Sequence, residues 1–218
     1  MAPREQFEME LNKMKDRIIE LAKGAENLLM EAVDGLYNQD VKKANQVAID
    51  DKRLDKLDKK INDEAILLIA KQQPVATDLR RLIVAIRISS DLERMADNAK
   101  NIAKATIHLG EDHGIEINPV LNEMKKKAID MIDLTIKAYE NEDITLARKL
   151  ANMDDLVDNM YGEVVREMLE ETAANSRKVQ HIMQVAFSAR YIERIADHAT
   201  NVGESIIYLV KGESFELN

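Results

Sequence analysis

Apolar residues recur through the first part of the chain at alternating spacings of four and three. The series is Phe7, Leu11, Met14, Ile18, Leu21, Ala25, Leu28, Ala32 and Leu36. This spacing places one apolar stripe along a helix that packs nearly parallel to its neighbours. It predicts a helix from about Pro3 to Tyr37. Asn38 to Asp40 is expected to form a turn, with Asp40 as the N-cap of the next helix.

The same periodicity predicts five more helices, so the expected fold class is all-α. Their approximate bounds are Val41 to Lys71, Val75 or Ala76 to Leu109, Pro119 to Tyr139, Ile144 to Thr172 and Ser176 to Lys211. Pro74 ends the second helix because proline disfavours helical geometry in the residue before it. Gly110 is expected to end the third in a left-handed conformation. A content of 4% aromatic residues and three prolines agrees with helices rather than sheets.

Acidic residues interrupt the predicted apolar stripes of three helices. The second helix has Val47, Asp51, Leu54, Asp58, Ile61, Ala65 and Leu68. The third has Leu79, Ile83, Ile86, Ser90, Glu93, Asp97 and Asn101. The sixth has Met183, Ala186, Arg190, Glu193, Asp197 and Asn201. These patterns predict carboxylates on or beside the seams between helices.

The acidic pattern is part of an internal repeat. Residues 93–101 and 193–201 are identical at six of nine positions, and Asp51 with Asp55 in the second helix has a counterpart in Asp154 with Asp158 in the fifth. The sequence therefore predicts two tandem elongated three-helix bundles related by internal duplication. The predicted units are residues 1–110 and 119–218, joined by a linker over 111–118.

Each unit is expected to bring two acidic pairs together. In the first, Asp55 lies 19 residues before Pro74 and Glu93 lies 19 after it, so an antiparallel hairpin places them side by side. The candidate metal ligands are Asp51, Asp55, Glu93, Asp97, Asp154, Asp158, Glu193 and Asp197. Oxygen ligands suit iron, manganese, magnesium or calcium, and zinc accepts carboxylates too. Asn101 and Asn201, one turn further along, are expected to ligate or to hydrogen-bond the ligands.

An alternative without metal stays open, because Arg94, Arg194 and nearby lysines could neutralise the carboxylates in a salt-bridge network. The register in the second unit is also open by one residue, since Asp155 stands beside Asp154. His198 has no counterpart in the first unit, where Asn98 stands, and it is expected either to face solvent or to lie beside the site rather than to bind metal.

Other chemistries find little support in the sequence. The chain has no cysteine, and none of its four histidines completes the Glu-x-x-His pattern of ferritin-like di-iron bundles. A net charge of −9 argues against nucleic acid as a partner. The apolar runs are too short for membrane insertion, and the amino terminus has no signal-peptide pattern, so a cytoplasmic location is expected.

Several motifs together resemble the PhoU family of phosphate-uptake regulators. They are Gln73-Pro74-x-x-x-Asp78-Leu79-Arg80, then Asp91-Leu92-Glu93-Arg94-x-x-Asp97, and later Ile192-Glu193-Arg194-Ile195-x-Asp197-His198. The resemblance covers nearly the whole chain and both repeats. It implies a pair of three-helix bundles in a cytoplasmic, homodimeric, non-enzymatic protein that restrains phosphate uptake and the phosphate-starvation response.

The family resemblance also implies partners and metal. The expected partners are the ATPase subunit of the high-affinity phosphate transporter and a sensor histidine kinase. The resemblance implies multinuclear iron or zinc clusters. The metal-binding motifs of the family correspond in position to the four acidic pairs of this sequence. Because Asp91 corresponds to Tyr191, the two sites need not be equivalent. The alternative function is a carboxylate-bridged metal-storage protein or metalloenzyme.

Overall fold

A computed structural model describes residues 3–174 and 178–217, apart from the side chain of Pro3, and its regular secondary structure is α-helical. The long helices are α1 (Pro3–Tyr37), α2 (Val41–Gln72), α3 (Ala76–Leu109), α4 (Val120–Asn141), α5 (Ile144–Ala174) and α6 (Val179–Lys211). The all-α prediction is confirmed. The predicted start of α6 at Ser176 lies outside the described residues.

Local sequence accounts for several helix ends. The Asp40 carboxylate accepts a hydrogen bond from the Lys43 backbone N–H at 2.9 Å, which is the predicted N-cap of α2. Asn118 similarly accepts from the Val120 N–H at 2.9 Å, but Pro119 is the N-cap position of α4 rather than its first helical residue. Gly110 has the expected positive φ of 74°, yet its ψ of −173° lies outside the left-handed helical region. Glycine is favoured there because it lacks a Cβ.

The two repeats share one hydrophobic core. Four helices form a closed ring in which α1 contacts α3, α3 contacts α6, α6 contacts α4 and α4 contacts α1. Helix α2 lies outside this ring against α1 and α3, and α5 lies against α4 and α6. A single cluster of buried apolar residues runs through all six helices. The duplicated units therefore pack against each other along their length as well as within themselves.

The ring explains why the predicted stripe of α3 is wrong. Leu79, Ile83 and Ile86 are only partly buried, whereas the centre of the helix buries Leu82, Ile88, Leu92 and other residues between the predicted positions. Helix α3 contacts α1, α2 and α6, so its buried surface covers more than one face. The acidic residues consequently border the core on the side of α3 that faces α2.

None of the helices, over the described ranges 3–174 and 178–217, is long and apolar enough to cross a membrane.

Candidate metal centres

The first acidic cluster lies where α2 packs against α3. Asp51, Asp55 and Asp97 each place a carboxylate oxygen within 4.8 Å of the others. The spacing of four residues stacks Asp51 and Asp55 on one face of α2, and the turn at Pro74 folds α3 back against that face. The structure thus brings together three of the four carboxylates predicted for this unit.

Burial makes this cluster electrostatically costly. Asp51 is 1% exposed, and its Oδ1 has no hydrogen-bond partner within the described part of the chain. Burial raises the pKa of Asp51, and Lys100 opposes that rise. Glu93, the fourth predicted carboxylate, is partly buried beside the cluster. Burial raises its pKa as well, and the negative charges of Asp97 and Asp55 add to the effect.

A lysine side chain contacts two carboxylates of the first cluster. Lys100 Nζ donates to Asp51 Oδ2 at 2.5 Å and to Asp97 Oδ1 at 2.6 Å. Burial lowers the pKa of Lys100, but the bonds to these two carboxylates outweigh it and raise the pKa above its ordinary value. The ammonium group therefore stays charged and links α2 to α3.

The second cluster lies in the matching place between α5 and α6. Here Asp158, Glu193 and Asp197 have carboxylate oxygens within 4.8 Å of one another. Asp154 is 2% exposed and adds to the negative charge around Glu193. Asp154 is buried like Asp51, whereas Asp155 is exposed, so Asp154 is the structural counterpart of Asp51, although it is not one of the three converging carboxylates.

Glu193 is the most perturbed carboxylate of this cluster. Glu193 is 6% exposed. Its Oε1 accepts a hydrogen bond from Arg190 Nη1, whereas its Oε2 has no hydrogen-bond partner among the described residues. Burial, reinforced by the charge of Asp197, raises the pKa of Glu193 to about 7. Burial likewise raises the pKa of Asp158, again with Asp197 contributing. The charged forms of Glu193 and Asp158 are therefore disfavoured in this cluster.

The predicted asparagines contact other groups. Asn101 Oδ1 accepts from Lys104 at 3.3 Å, and Asn201 Nδ2 donates to Asp91 Oδ1 at 3.5 Å. His198 Nδ1 lies 3.0 Å from the same Asp91 oxygen. Asp91 in the first repeat thus joins two residues of the second across the α3–α6 contact. Two features of the sequence indicate this asymmetry, because Asp91 corresponds to Tyr191 and His198 has no counterpart in the first unit.

Both clusters have the chemistry that a metal cation requires. Each offers carboxylate oxygens from two adjacent helices, and each contains a buried oxygen with no hydrogen-bond partner in the described residues, Asp51 Oδ1 in one and Glu193 Oε2 in the other. Buried charges are normally paired or bound to metals. The donor sets suit hard divalent cations and zinc. Within the described residues, Lys100 and Arg190 form ion pairs with carboxylates of the clusters, whereas Arg94 and Arg194 are exposed.

The repeat seen in sequence and structure matches a known family. The PhoU domain matches residues 18–106 and again residues 121–206. The chain belongs to the PhoU family. The first matched segment begins within α1 and ends within α3, and the second begins within α4 and ends within α6, so one PhoU match lies in each three-helix unit.

Relatives of full length share both repeats. The chain is 35% identical over 214 residues to a protein of Clostridium acetobutylicum named as a phosphate-specific transport system accessory protein PhoU homolog, and the match covers 97% of both chains. The crystal structure of PhoU from Pseudomonas aeruginosa superposes with a TM-score of 0.90 at 28% identity, covering 95% of this chain and 100% of that one.

A second crystal structure carries a regulatory description. It is the phosphate transport system regulatory protein PhoU from Streptococcus pneumoniae, with a TM-score of 0.89, 25% identity, and coverage of 96% of this chain and 99% of the other. The family is thus one of accessory and regulatory proteins. The two-bundle architecture is common to both solved structures and this chain.

Proposed function

We propose that this protein is a negative regulator of phosphate uptake and of the phosphate-starvation response. The observation that carries the proposal is the match of both repeats, over nearly the whole chain, to relatives named as accessory or regulatory proteins of phosphate transport. The acidic clusters recur at equivalent places in the two repeats, which supports a role that uses both.

The regulator acts through protein contacts. Its proposed partners are the ATPase subunit of the phosphate transporter and a sensor histidine kinase, and it works in the cytoplasm as a homodimer without catalysing a reaction. The outer helices offer suitable surfaces, because α2 exposes Ile49, Ile66 and Leu67 and α5 exposes Leu156 and Leu169 among charged residues. Exchange between partner-bound states, each favoured by its own affinity, would carry the signal.

Metal belongs to the proposal as a structural component. The residues that would hold it are Asp51, Asp55, Glu93 and Asp97 in the first repeat, and Asp154, Asp158, Glu193 and Asp197 in the second. A bound iron or zinc ion would add positive charge to these groups of carboxylates. The protein's own contribution is to hold acidic pairs on adjacent helices, so that binding would fix the outer helix of each repeat against the ring.

The test is recovery of the two partners at high and low phosphate. Affinity-tagged protein, expressed in its own host from its own promoter, is isolated with its associated proteins and the transporter ATPase and kinase are quantified. The variant Asp158→Asn with Asp197→Asn is compared with Glu170→Gln, an exposed change on α5. We expect both partners to be enriched in amounts that depend on phosphate and on the acidic pair, but not on Glu170.

Failure to enrich either partner above an untagged control at both phosphate concentrations would contradict the adaptor role. Metal-dependent turnover that disappears with the carboxylates would instead favour the metalloenzyme alternative.

A further inference from the structure

We propose that the two acidic clusters obtain positive charge in different ways. Lys100 is the counter-ion of the first cluster, whereas the second cluster binds a divalent metal ion. The inference rests on the proposed metal binding and assigns it unequally to the two repeats.

Lys100 already makes the contacts expected of a bridging cation. Its Nζ binds Asp51 on α2 and Asp97 on α3, and these are two of the three carboxylates that converge in this cluster. The lysine side chain is 21% exposed and Asp51 is 1% exposed, so solvent screens this pairing only in part. The first cluster thus already contains a cation supplied by its own chain, paired with two of its carboxylates.

The second repeat lacks this lysine. The residue one hundred positions later is Thr200, which is 3% exposed and whose hydroxyl donates to the Ala196 carbonyl oxygen at 3.4 Å. No ion pair joins Asp158 or Asp197 to a basic side chain in residues 3–174 and 178–217. The carboxylates that bridge α5 and α6 therefore meet each other rather than a cation.

Arg190 does not replace Lys100. It pairs with Glu193, three residues away on its own helix, and its guanidinium lies 5.6 Å from the centre of the Tyr161 ring with 46% of the side chain exposed. Arg190 therefore stays at the rim of the cluster. It leaves Glu193 Oε2 as a buried oxygen without a hydrogen-bond partner in the described chain. Its counterpart in the first repeat is Ser90.

These arrangements predict unequal affinities for metal. A divalent ion entering the first cluster must displace the ammonium group or bind a few ångströms from it, where like charges repel strongly in a partly buried site. An ion entering the second cluster meets, among the residues that the structure describes, the converging carboxylates of Asp158, Glu193 and Asp197, with Arg190 at the rim. We expect the first cluster to bind divalent metal at least about tenfold more weakly.

Two neutral variants locate the bound metal. Full-length protein is stripped with chelator, titrated with Zn²⁺, and its metal content is measured by mass spectrometry after desalting. We expect Asp197→Asn to remove the tight binding and the matched Asp97→Asn to leave it unchanged. Equal losses from the two variants would overturn the unequal assignment while preserving the proposed metal binding. Absence of Zn²⁺ binding by the wild type would overturn both.

Exchanging the two equivalent residues provides a second test. Lys100→Thr should create a further tight Zn²⁺ site in the first cluster, and Thr200→Lys should weaken binding in the second by at least about tenfold. Circular dichroism of the metal-free proteins checks that each variant is folded. Should Thr200→Lys not fold, Lys100→Thr still decides, because an unchanged number of tight sites in that variant contradicts the role of Lys100.

Discussion

Replacing Glu193 with glutamine should stabilise the metal-free protein at alkaline pH. Glutamine has nearly the shape of a protonated glutamic acid, keeps an oxygen for Arg190, and carries no charge. The wild-type carboxyl is 6% exposed, and burial followed by the repulsion of Asp197 raises its pKa to about 7. The buried negative charge is therefore a cost that the variant removes.

The size of this effect follows from the two pKa values. The carboxyl has an ordinary pKa of 4.5 and a folded pKa of about 7. The folded protein binds more protons than the unfolded chain between those values, so stability falls as pH rises through this window. At about 1.36 kcal/mol for each pH unit, the complete loss is about 3 kcal/mol. Since the change also weakens the pair with Arg190, we expect a gain of about 1–3 kcal/mol at pH 8.

Urea denaturation of the metal-free proteins from pH 4.5 to pH 8 measures the difference in free energy of unfolding between variant and wild type. The variant and wild type should be nearly equal in stability at pH 4.5, and the variant should be the more stable at pH 8. Glu170→Gln, on the exposed side of α5, is the control and should give no such divergence. A constant difference across the pH range, or a loss of stability at pH 8, would refute the account of Glu193. Saturating Zn²⁺ should then stabilise the wild type more than the variant, because the wild type keeps the Glu193 carboxylate as a ligand for the cation.

Three other predictions concern the fold. Asp40→Ala removes the cap of α2 and should cost about 0.5–2 kcal/mol in urea denaturation, whereas a change below 0.3 kcal/mol would contradict the capping role. Leu82→Ala, at a fully buried site of α3, should cost about 2–5 kcal/mol by the same assay, and a smaller loss would mean that the site is not tightly packed. A double-mutant cycle of Asp91→Asn with His198→Gln should give a coupling free energy of about 0.2–1 kcal/mol at pH 6. Additive effects of the two changes would show that this pair does not stabilise the contact between the repeats.

Periodicity and duplication were sufficient to predict most of the fold. Alternating spacings located α1 at its observed bounds, and equal distances from Pro74 placed Asp55 near Glu93 on the facing helix. These predictions hold because they depend on helix geometry and on short turns, both of which are local. The likeness of residues 93–101 to 193–201 likewise predicted that each repeat would hold an acidic cluster.

The details that distinguish the clusters depend on tertiary contacts. The burial of Asp154 rather than Asp155 follows from how α5 faces α6, which an adjacent pair of aspartates does not specify. The sequence differs at Lys100 and Thr200, but only the packing of α2 on α3 places the lysine between Asp51 and Asp97. The stripe of α3 was misassigned because its third neighbour, α6, belongs to the other repeat.

The most direct test of the regulatory role is the initial rate of labelled phosphate uptake in phosphate-replete cells, measured together with a phosphate-regulated reporter. Deletion of the gene should raise both uptake and reporter activity, and the wild-type gene supplied in trans should restore them. Complementation with Asp158→Asn and Asp197→Asn should restore them incompletely, whereas Glu170→Gln should act as wild type. Unchanged uptake and transcription in the deletion strain would contradict the proposal that this protein restrains phosphate uptake.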